Sequence, residues 1–546
     1  MSNKHNVIRQ ASFLMAATMI CRVIGLLYRS PLHAVMGDIG DGYYSFAYEW
    51  YNIILLIASY SVPMAVSKVM AEQLAVNRYR NAQRIFYAAL VYVLVVGGIG
   101  ALLAFFGAPY MLFRTPGAVL ALRVLAPTIL LSGILGVFRG YFQARSNMQP
   151  TAVSQIFEQI INAIVSIGAA YLLTRPYLGN KEATGVYGAA GGTLGTGAGV
   201  VTAMIVVGWL FVRNMGKNRA QVAADKESNM GFADCFKTIL GMVTPVILAT
   251  CVYNLIGIVN QFVFTNMMSF KGMSAEAISS SYAVYGYQFK PIINIPIALA
   301  SATSTALIPT IASLMAEKKD KEASGKINES ISFMSFLAIP AAVGIAVLSL
   351  PIIRILYPGS NQGKAALMLT LGAVSVLFYC LSTVTNGVLQ GLGKPKLPVR
   401  HSLIALAVDV VVVVVGSLLN MDIFSVLLAT ILYAVTVSLL NSHSVKKYID
   451  YKLDLKEAYL KPLAASLIMG LVCGVLYWVP YLLKLSFLNR FMGNAIWTMI
   501  VVVIGVIVYF IAYPVVTGKT ERELKRMPMG TRLVQVLKLL HIKVKQ

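Results

Sequence analysis

Charge is scarce in this sequence, and acidic charge scarcest. Asp, Glu, Lys and Arg make up 12% of the 546 residues, against about a quarter in a soluble domain, so most of the surface must face something other than water. Only 21 of the charged residues are acidic against 45 basic, a formal net charge of +24. The basic excess is scattered through short loops, with no stripe interleaved with aromatics, which excludes a nucleic-acid surface. The five cysteines are odd in number and contain no CxxC, so neither a disulfide framework nor a zinc knot is encoded. The five histidines lie far apart and no DxD occurs, which argues against a membrane glycosyltransferase. The glycine-rich stretch "GVYGAAGGTLGTGAG" at 185–199 lacks the Lys-Ser/Thr of a phosphate-binding loop; close helix packing is its default reading and a flexible gate the alternative. Polar stretches are short too, and the loops around 213–237 and 311–329 cannot fold alone.

What fills the chain instead is hydrocarbon. Hydrophobic residues are 58% of the total and mean hydropathy is +0.73. Runs of about 20 apolar residues, the length that spans a bilayer, can be placed fourteen times: 10–30, 43–66, 85–106, 118–138, 151–173, 185–212, 238–264, 279–310, 330–350, 365–390, 401–419, 422–443, 462–482 and 491–516. The first run carries an arginine and no small-residue cleavage site, so it reads as a retained helix. With a cytoplasmic N-terminus and alternating loops, 33 of the 45 Lys and Arg fall on the cytoplasmic side and eight on the other. This bias is the one the positive-inside rule demands, and it places both termini in the cytoplasm.

An internal repeat divides the runs. "PMAVSKVMAE" at 63–72 returns as "PTIASLMAE" at 309–317, and "GVFRG" at 136–140 returns as "GVLQG" at 387–391. The near-constant shift spans six helices, an even number, so the copies share one orientation, as in transporters with parallel repeats. The expected fold is an all-α polytopic membrane protein of fourteen transmembrane helices. It comprises an N-lobe over 1–216, a cytoplasmic linker over 217–237, a C-lobe over 238–450 and two extra helices over 451–516. The last segment, 517–546, reads as a basic amphipathic tail on the anionic inner leaflet.

Ionisable residues inside spans cost several kcal/mol each, about 2.5–3.5 on insertion scales. Arg22 lies about a dozen residues into helix 1, about 18 Å deep on helical rise. It marks either a wet pathway or an ion pair with a helix-borne acid. Arg29, two turns on, snorkels to the interface or joins the same pathway. Lys290 stands beside Pro291 and Pro296 in "YQFKPIINIP" on helix 8, where missing backbone donors suggest a kink that lines a cavity. A two-sided basic cleft between the lobes would suit a diphosphate; a lysine neutralised by a carboxylate is the alternative. Glu49 on helix 2 and Glu158 on helix 5 are counted with the substrate-binding residues, Glu158 pairing with Arg22 or moving a proton. Asp409, alone in "ALAVDVVVV" on helix 11, is a coupling-cation or proton site, or else a protonated packing residue. Asn254 and Asn260 on helix 7 offer oxygens to a cation, or simply cross-link helices.

"CRVIGLLYRSPL", "GDGYYSFAY", "SVPMAVSKVMAE" and "GVLQGLGKPKLPVR" together resemble the polysaccharide-export branch of the multidrug/oligosaccharidyl-lipid/polysaccharide flippase superfamily. Within it, the chain resembles the MurJ-type lipid II flippases of the Gram-positive branch. In that family the first helix carries a pair of arginines with a glycine between them, essential for transport. Arg22 and Gly25 match it; Tyr28 takes the place of the second arginine, and Arg29 follows one residue late. A family arginine near the start of the second helix has no counterpart in "YNIILLIAS", and the family's arginine on helix 8 is replaced by Lys290. Asp41 falls where the family has an outer acidic residue. The resemblance implies alternating access in a bacterial cytoplasmic membrane, with no covalent chemistry and no cofactor beyond a possible coupling Na⁺ or H⁺. A lipid-linked saccharide diphosphate is the substrate, its polyprenyl tail riding a groove beside helices 13 and 14. Membrane lipids and cell-wall synthesis proteins are the implied partners, and nucleic acid is not. Another undecaprenyl-linked glycan, of capsule, teichuronic or spore-wall type, is the alternative substrate. A cation-coupled drug antiporter is the more distant one.

Overall fold

The structure, a computed structural model, describes residues 2–60, 62–225, 230–449, 451, 453–518 and 534–535. Among the described residues there is no strand, as a chain in lipid requires: an α-helix satisfies every backbone polar group within one segment. Contacts divide the chain into two compact units between Tyr287 and Gln288, inside the eighth apolar run and not in the 217–237 linker.

The first unit holds α1 (Ser2–Leu27), α2 (Arg29–Leu55), a π turn at Leu56–Tyr60, α3 (Val62–Ala75), α4 (Tyr79–Met111), α5 (Val119–Ala144), α6 (Gln149–Thr174), α7 (Lys181–Ala224), α8 (Phe232–Phe270) and α9 (Ala275–Ala283). Its core packs Val66, Met70, Phe86, Tyr92, Tyr141 and Ile239 from α3, α4, α5 and α8. The second unit holds α10 (Lys290–Ala316), α11 (Asp320–Val347), α12 (Ser349–Leu356), α13 (Gln362–Gly372), α14 (Val374–Gly391), α15 (Lys396–Leu418), α16 (Phe424–Tyr448), α17 (Lys461–Leu482) and α18 (Phe491–Thr517). There Phe336, Tyr477, Tyr509 and Tyr513 join α11 to the two C-terminal helices.

The chain is a multi-pass membrane protein. Eleven helical segments among the described residues are long and apolar enough to cross a membrane, and twelve if α13 and α14, bent by 44° at one break, count as one span. The fourteen expected from the apolar runs exceed this number. α1 offers a shorter apolar stretch, Ala16–Leu27, and α8 is not among the qualifying segments.

Three local features bear on the site. The first helix stops at Leu27, with Tyr28 as a turn and Arg29 opening α2. Pro31 has no N–H to give Leu27, so the hydrogen-bond ladder is interrupted there. The fifth helix runs on past the apolar run to Ala144, carrying Arg139 inside it. Lys290 lies inside the continuous helical segment Ala275–Ala316, as expected, directly after a π turn at Val284–Phe289; the missing amide of Pro291 explains the irregular turn.

The sequence repeat is a repeat of contacts. In the first unit Gly140 of α5 lies so close to α3 that a Cβ would come 2.9 Å from the Pro63 carbonyl and from Val66. In the second, a Cβ on Gly391 of α14 would come 3.0 Å from the Ile308 carbonyl and 2.8 Å from Ile311. Gly136 and Gly387, one turn earlier, approach Pro63 and Ser304 in the same manner. The two matched motifs thus meet each other within each unit.

Candidate functional site

The first unit gathers most of the singled-out residues around α1, α2 and α6. α1 lies along α6: Thr18 donates to Gln155 Oε1 at 3.3 Å, and Gly25 leaves only enough room for Gln159, whose Nε2 would be 3.1 Å from an added Cβ. Arg22, four residues after Thr18 and three before Gly25, shares that helix face and is exposed.

Glu158, on α6 beside this face, is held by Arg139 of α5. Arg139 Nη2 donates to Glu158 Oε2 at 2.7 Å, and its Nε and Nη2 donate to Ser154 Oγ at 3.1 and 3.0 Å. The sequence reading placed Arg139 in a cytoplasmic loop because the apolar run ends one residue earlier. Its position in "GVFRG", a repeated motif, was the available signal. α6 itself is fixed by the glycines of α7. A Cβ at Gly191 would lie 2.5 Å from Ala170 Cα and N, Gly195 seats on Ser166 and Asn162, and Gly199 seats on the Glu158 carbonyl, 2.5 Å from an added Cβ. The glycine-rich run of 185–199 therefore works as a close-packing stripe.

Arg29 is half-buried among tyrosines. Its guanidinium stands 4.7 Å from the centroid of Tyr287 and 5.8 Å from that of Tyr44, and Nη1 donates to the Tyr287 carbonyl at 3.2 Å. The Tyr287 hydroxyl returns a bond to the Arg29 carbonyl at 3.3 Å. Tyr44 is in turn within 3.0 Å of the Tyr28 hydroxyl and stacks on Tyr48 at 4.5 Å. These tyrosines went unremarked in the sequence, although "GYYSFAYEWY" concentrates them. Cation–π contact and a carbonyl acceptor both stabilise the guanidinium.

Glu49 lies farther along α2, half-buried, its carboxylate packed over Gly257 of α8. Asn254 of α8 is exposed and Asn260 is fully buried. Asp41 is also fully buried, with His33 Nδ1 2.7 Å from its Oδ2.

In the second unit Lys290 is half-buried at the start of α10, and Asp409 is buried on α15. Two turns before Asp409, His401 belongs to a polar network centred on Asn441 of α16, which sequence reasoning did not find. His401 Nδ1 donates to Asn441 Oδ1 at 2.7 Å, Ser444 Oγ lies 3.3 Å from His401 Nε2, and Asn441 Nδ2 donates to Asn386 Oδ1 at 2.7 Å. The network ties α14, α15 and α16 together. Elsewhere in this unit an apolar groove of about 800 Å³ opens between α11, α13 and α17, lined by Val343, Val347, Leu367, Leu467, Leu471 and Trp478. It adjoins the thirteenth expected helix; α18 does not line it.

Residues 7–315 match the polysaccharide biosynthesis protein family and residues 245–415 match MatE. Lipid II flippase MurJ of Bacillus subtilis (strain 168) is 27% identical over 92% of this chain and 93% of its own length. Stage V sporulation protein B of the same organism is 25% identical over 87% of this chain and 90% of its own. Among solved structures, lipid II flippase MurJ in an inward closed conformation superposes with a TM-score of 0.62 at 17% identity, over 94% of this chain and 99% of that one, a likeness of fold. The chain belongs to the polysaccharide biosynthesis protein family, within the multidrug/oligosaccharidyl-lipid/polysaccharide flippase superfamily.

Proposed function

We propose that this protein flips a polyprenyl-diphosphate-linked saccharide across a bacterial cytoplasmic membrane, with lipid II as the substrate and no covalent step. The observation that carries the reading is the guanidinium of Arg29. It is held by aromatic faces and a carbonyl, and a guanidinium's planar fork matches the oxygens of a diphosphate. Arg22, on the exposed side of α1, is a further cation of the same unit assigned to the substrate, and Lys290 is assigned to it on the sequence pattern alone. The apolar groove beside α17 has the chemistry to take a polyprenyl chain. The similarity to a lipid II flippase along nearly the full length of both chains supports the choice of substrate. The second reading is another undecaprenyl-linked glycan, of capsule, teichuronic or spore-wall type; the similarity to a sporulation protein at 25% identity bears on the last of these.

In this reading both termini face the cytoplasm, cell-wall synthesis proteins are the expected neighbours, and nucleic acid plays no part. Asp409, with Asn254 and Asn260, is assigned to Na⁺ or H⁺ coupling; Asp409→Asn should then uncouple transport from ion or pH gradients. The deciding experiment is depletion of this protein followed by assay of the lipid-linked sugars on the inner leaflet. Accumulated lipid II supports the first reading, and accumulation of a different undecaprenyl glycan the second. In cells lacking their own lipid II flippase, Arg22→Ala, Arg29→Ala and Lys290→Ala should each fail to restore growth while the protein remains folded in the membrane. Normal growth with all three would refute the cationic site.

A further inference from the structure

We propose that His33, Asp38 and Asp41 form a binding site for a divalent transition-metal cation, zinc being the best match, built across a break in α2. The proposal does not rest on the transport reading. In a straight helix residues eight apart are separated by about 12 Å along the axis and face different directions, so His33 and Asp41 could not meet. They meet here because Gly37 leaves the helical conformation, with φ 66° and ψ −180°, a region open essentially only to glycine. The break folds the first turns of α2 over the next, and His33 Nδ1 comes to 2.7 Å from Asp41 Oδ2. Asp38 follows the break directly, and one ligand atom from each of the three side chains lies within 4.8 Å of the others. Zinc bonds to imidazole nitrogen and carboxylate oxygen are about 2.0–2.2 Å long, so small side-chain rotations close this set around one ion.

A second observation points to a ligand. Asp41 is 0% exposed, yet its Oδ1 has no hydrogen-bond partner among the described residues. A buried carboxylate oxygen left unsatisfied is costly, and this one belongs to the group whose other oxygen already faces His33. A cation at the three side chains would satisfy it. Two carboxylates and a neutral imidazole balance a divalent charge, and the imidazole selects a transition metal over magnesium or calcium. The metal would replace the proton that His33 Nδ1 shares with Asp41. Asp38 is only half-buried, which leaves a route of entry and a fourth position for water.

The backbone around the site is already fixed. Ser279 of α9 donates to the Ile39 carbonyl at 2.9 Å, and Gly42 packs on the Ser279 main chain. Gly40 comes so near α7 that its Cβ would lie 3.2 Å from Gly185 Cα. A site held on such packed elements needs little rearrangement to bind. Bound metal would in turn pin the two halves of α2 across Gly37.

The test is zinc binding to the purified full-length chain in detergent, tag removed, by calorimetry and by metal analysis after dialysis. The expected result is one saturable zinc per chain and a zinc-dependent rise in melting temperature. His33→Gln and Asp38→Asn should each weaken binding by at least about tenfold and abolish the thermal shift. Melting in chelator checks that each variant is folded. Gly37→Ala, which removes no ligand, should weaken zinc binding as well by opposing the break. The proposal is overturned by an absence of saturable zinc binding to the wild-type chain, or by stoichiometric binding that survives both ligand substitutions. Binding lost only on changing His401 or His443 would place the metal elsewhere and overturn it equally.

Discussion

Arg29 donates from Nη1 to the carbonyl of Tyr287 at 3.2 Å, the carbonyl whose α-helical partner would have been the amide of Pro291. Proline has no amide hydrogen to give, so the Tyr287 carbonyl is left as an acceptor and Arg29, 258 positions before Tyr287, uses it. The Tyr287 ring adds cation–π contact from the same residue. Arg29→Lys should therefore not be conservative. A lysine keeps the charge but loses the planar fork and the stacking. In a complementation assay at equal expression, Arg29→Lys is expected to behave closer to Arg29→Ala than to wild type.

The ion pair between Arg139 and Glu158 makes a separable prediction. Both side chains are mostly enclosed, at 14% and 29% exposure, so screening by water is incomplete. Removing either partner alone leaves the other charge poorly compensated, which is more damaging than removing both. In a double-mutant cycle of Arg139→Ala and Glu158→Ala, thermal unfolding in detergent should give a coupling of about 0.5–3 kcal/mol. Additive effects would return Glu158 to independence from α5.

How much of this was legible in the sequence depends on the range of the interaction. The apolar runs announce the helices, because lipid demands length and apolarity of every span regardless of its neighbours. The repeat was legible as well, since Gly140 and Gly391 need small residues for a local reason, close approach of α3 and α10 respectively. Breaks within helices were partly legible. Pro31 and Pro291 flag theirs, but Gly37 looks like any of the 43 glycines until its φ is seen. Least legible were the pairings. Nothing in "QIFEQIIN" says that Glu158 meets Arg139, and nothing in "LLNSHS" says that Asn441 meets His401, because each partner comes from a different helix. The positive-inside count concealed Arg139 in particular, since an arginine at a helix end and one in a loop contribute alike to it.

The glycine stripe of α7 predicts a size effect with a built-in control. A Cβ at Gly191 would lie 2.5 Å from Ala170 backbone atoms, and backbone cannot rotate aside as a side chain can. Gly191→Ala should force α6 and α7 apart, at a cost of about 1–3 kcal/mol. Gly168→Ala on α6 meets nothing within 4 Å and should be neutral or mildly stabilising through helix propensity. Melting temperatures of the two variants in detergent should move in opposite directions or differ clearly. Equal shifts would mean that the stripe is not a packing surface.

Asn441 offers the sharpest case in the second unit. It is fully buried, accepts from His401 Nδ1 and donates to Asn386 Oδ1, each at 2.7 Å. Asn441→Ala takes a hydrogen-bond partner from buried His401 and from half-buried Asn386, and a buried group left without one costs about 1–3 kcal/mol. A single substitution should thus destabilise the chain more than loss of a methyl-sized contact on α16 would. Removing a stranded donor together with its partner is cheaper than removing one alone. Asn441→Leu combined with His401→Leu should therefore melt above the temperature expected from adding the two single effects. Strict additivity between these residues would show that the hydrogen bond between α15 and α16 contributes nothing to holding them together.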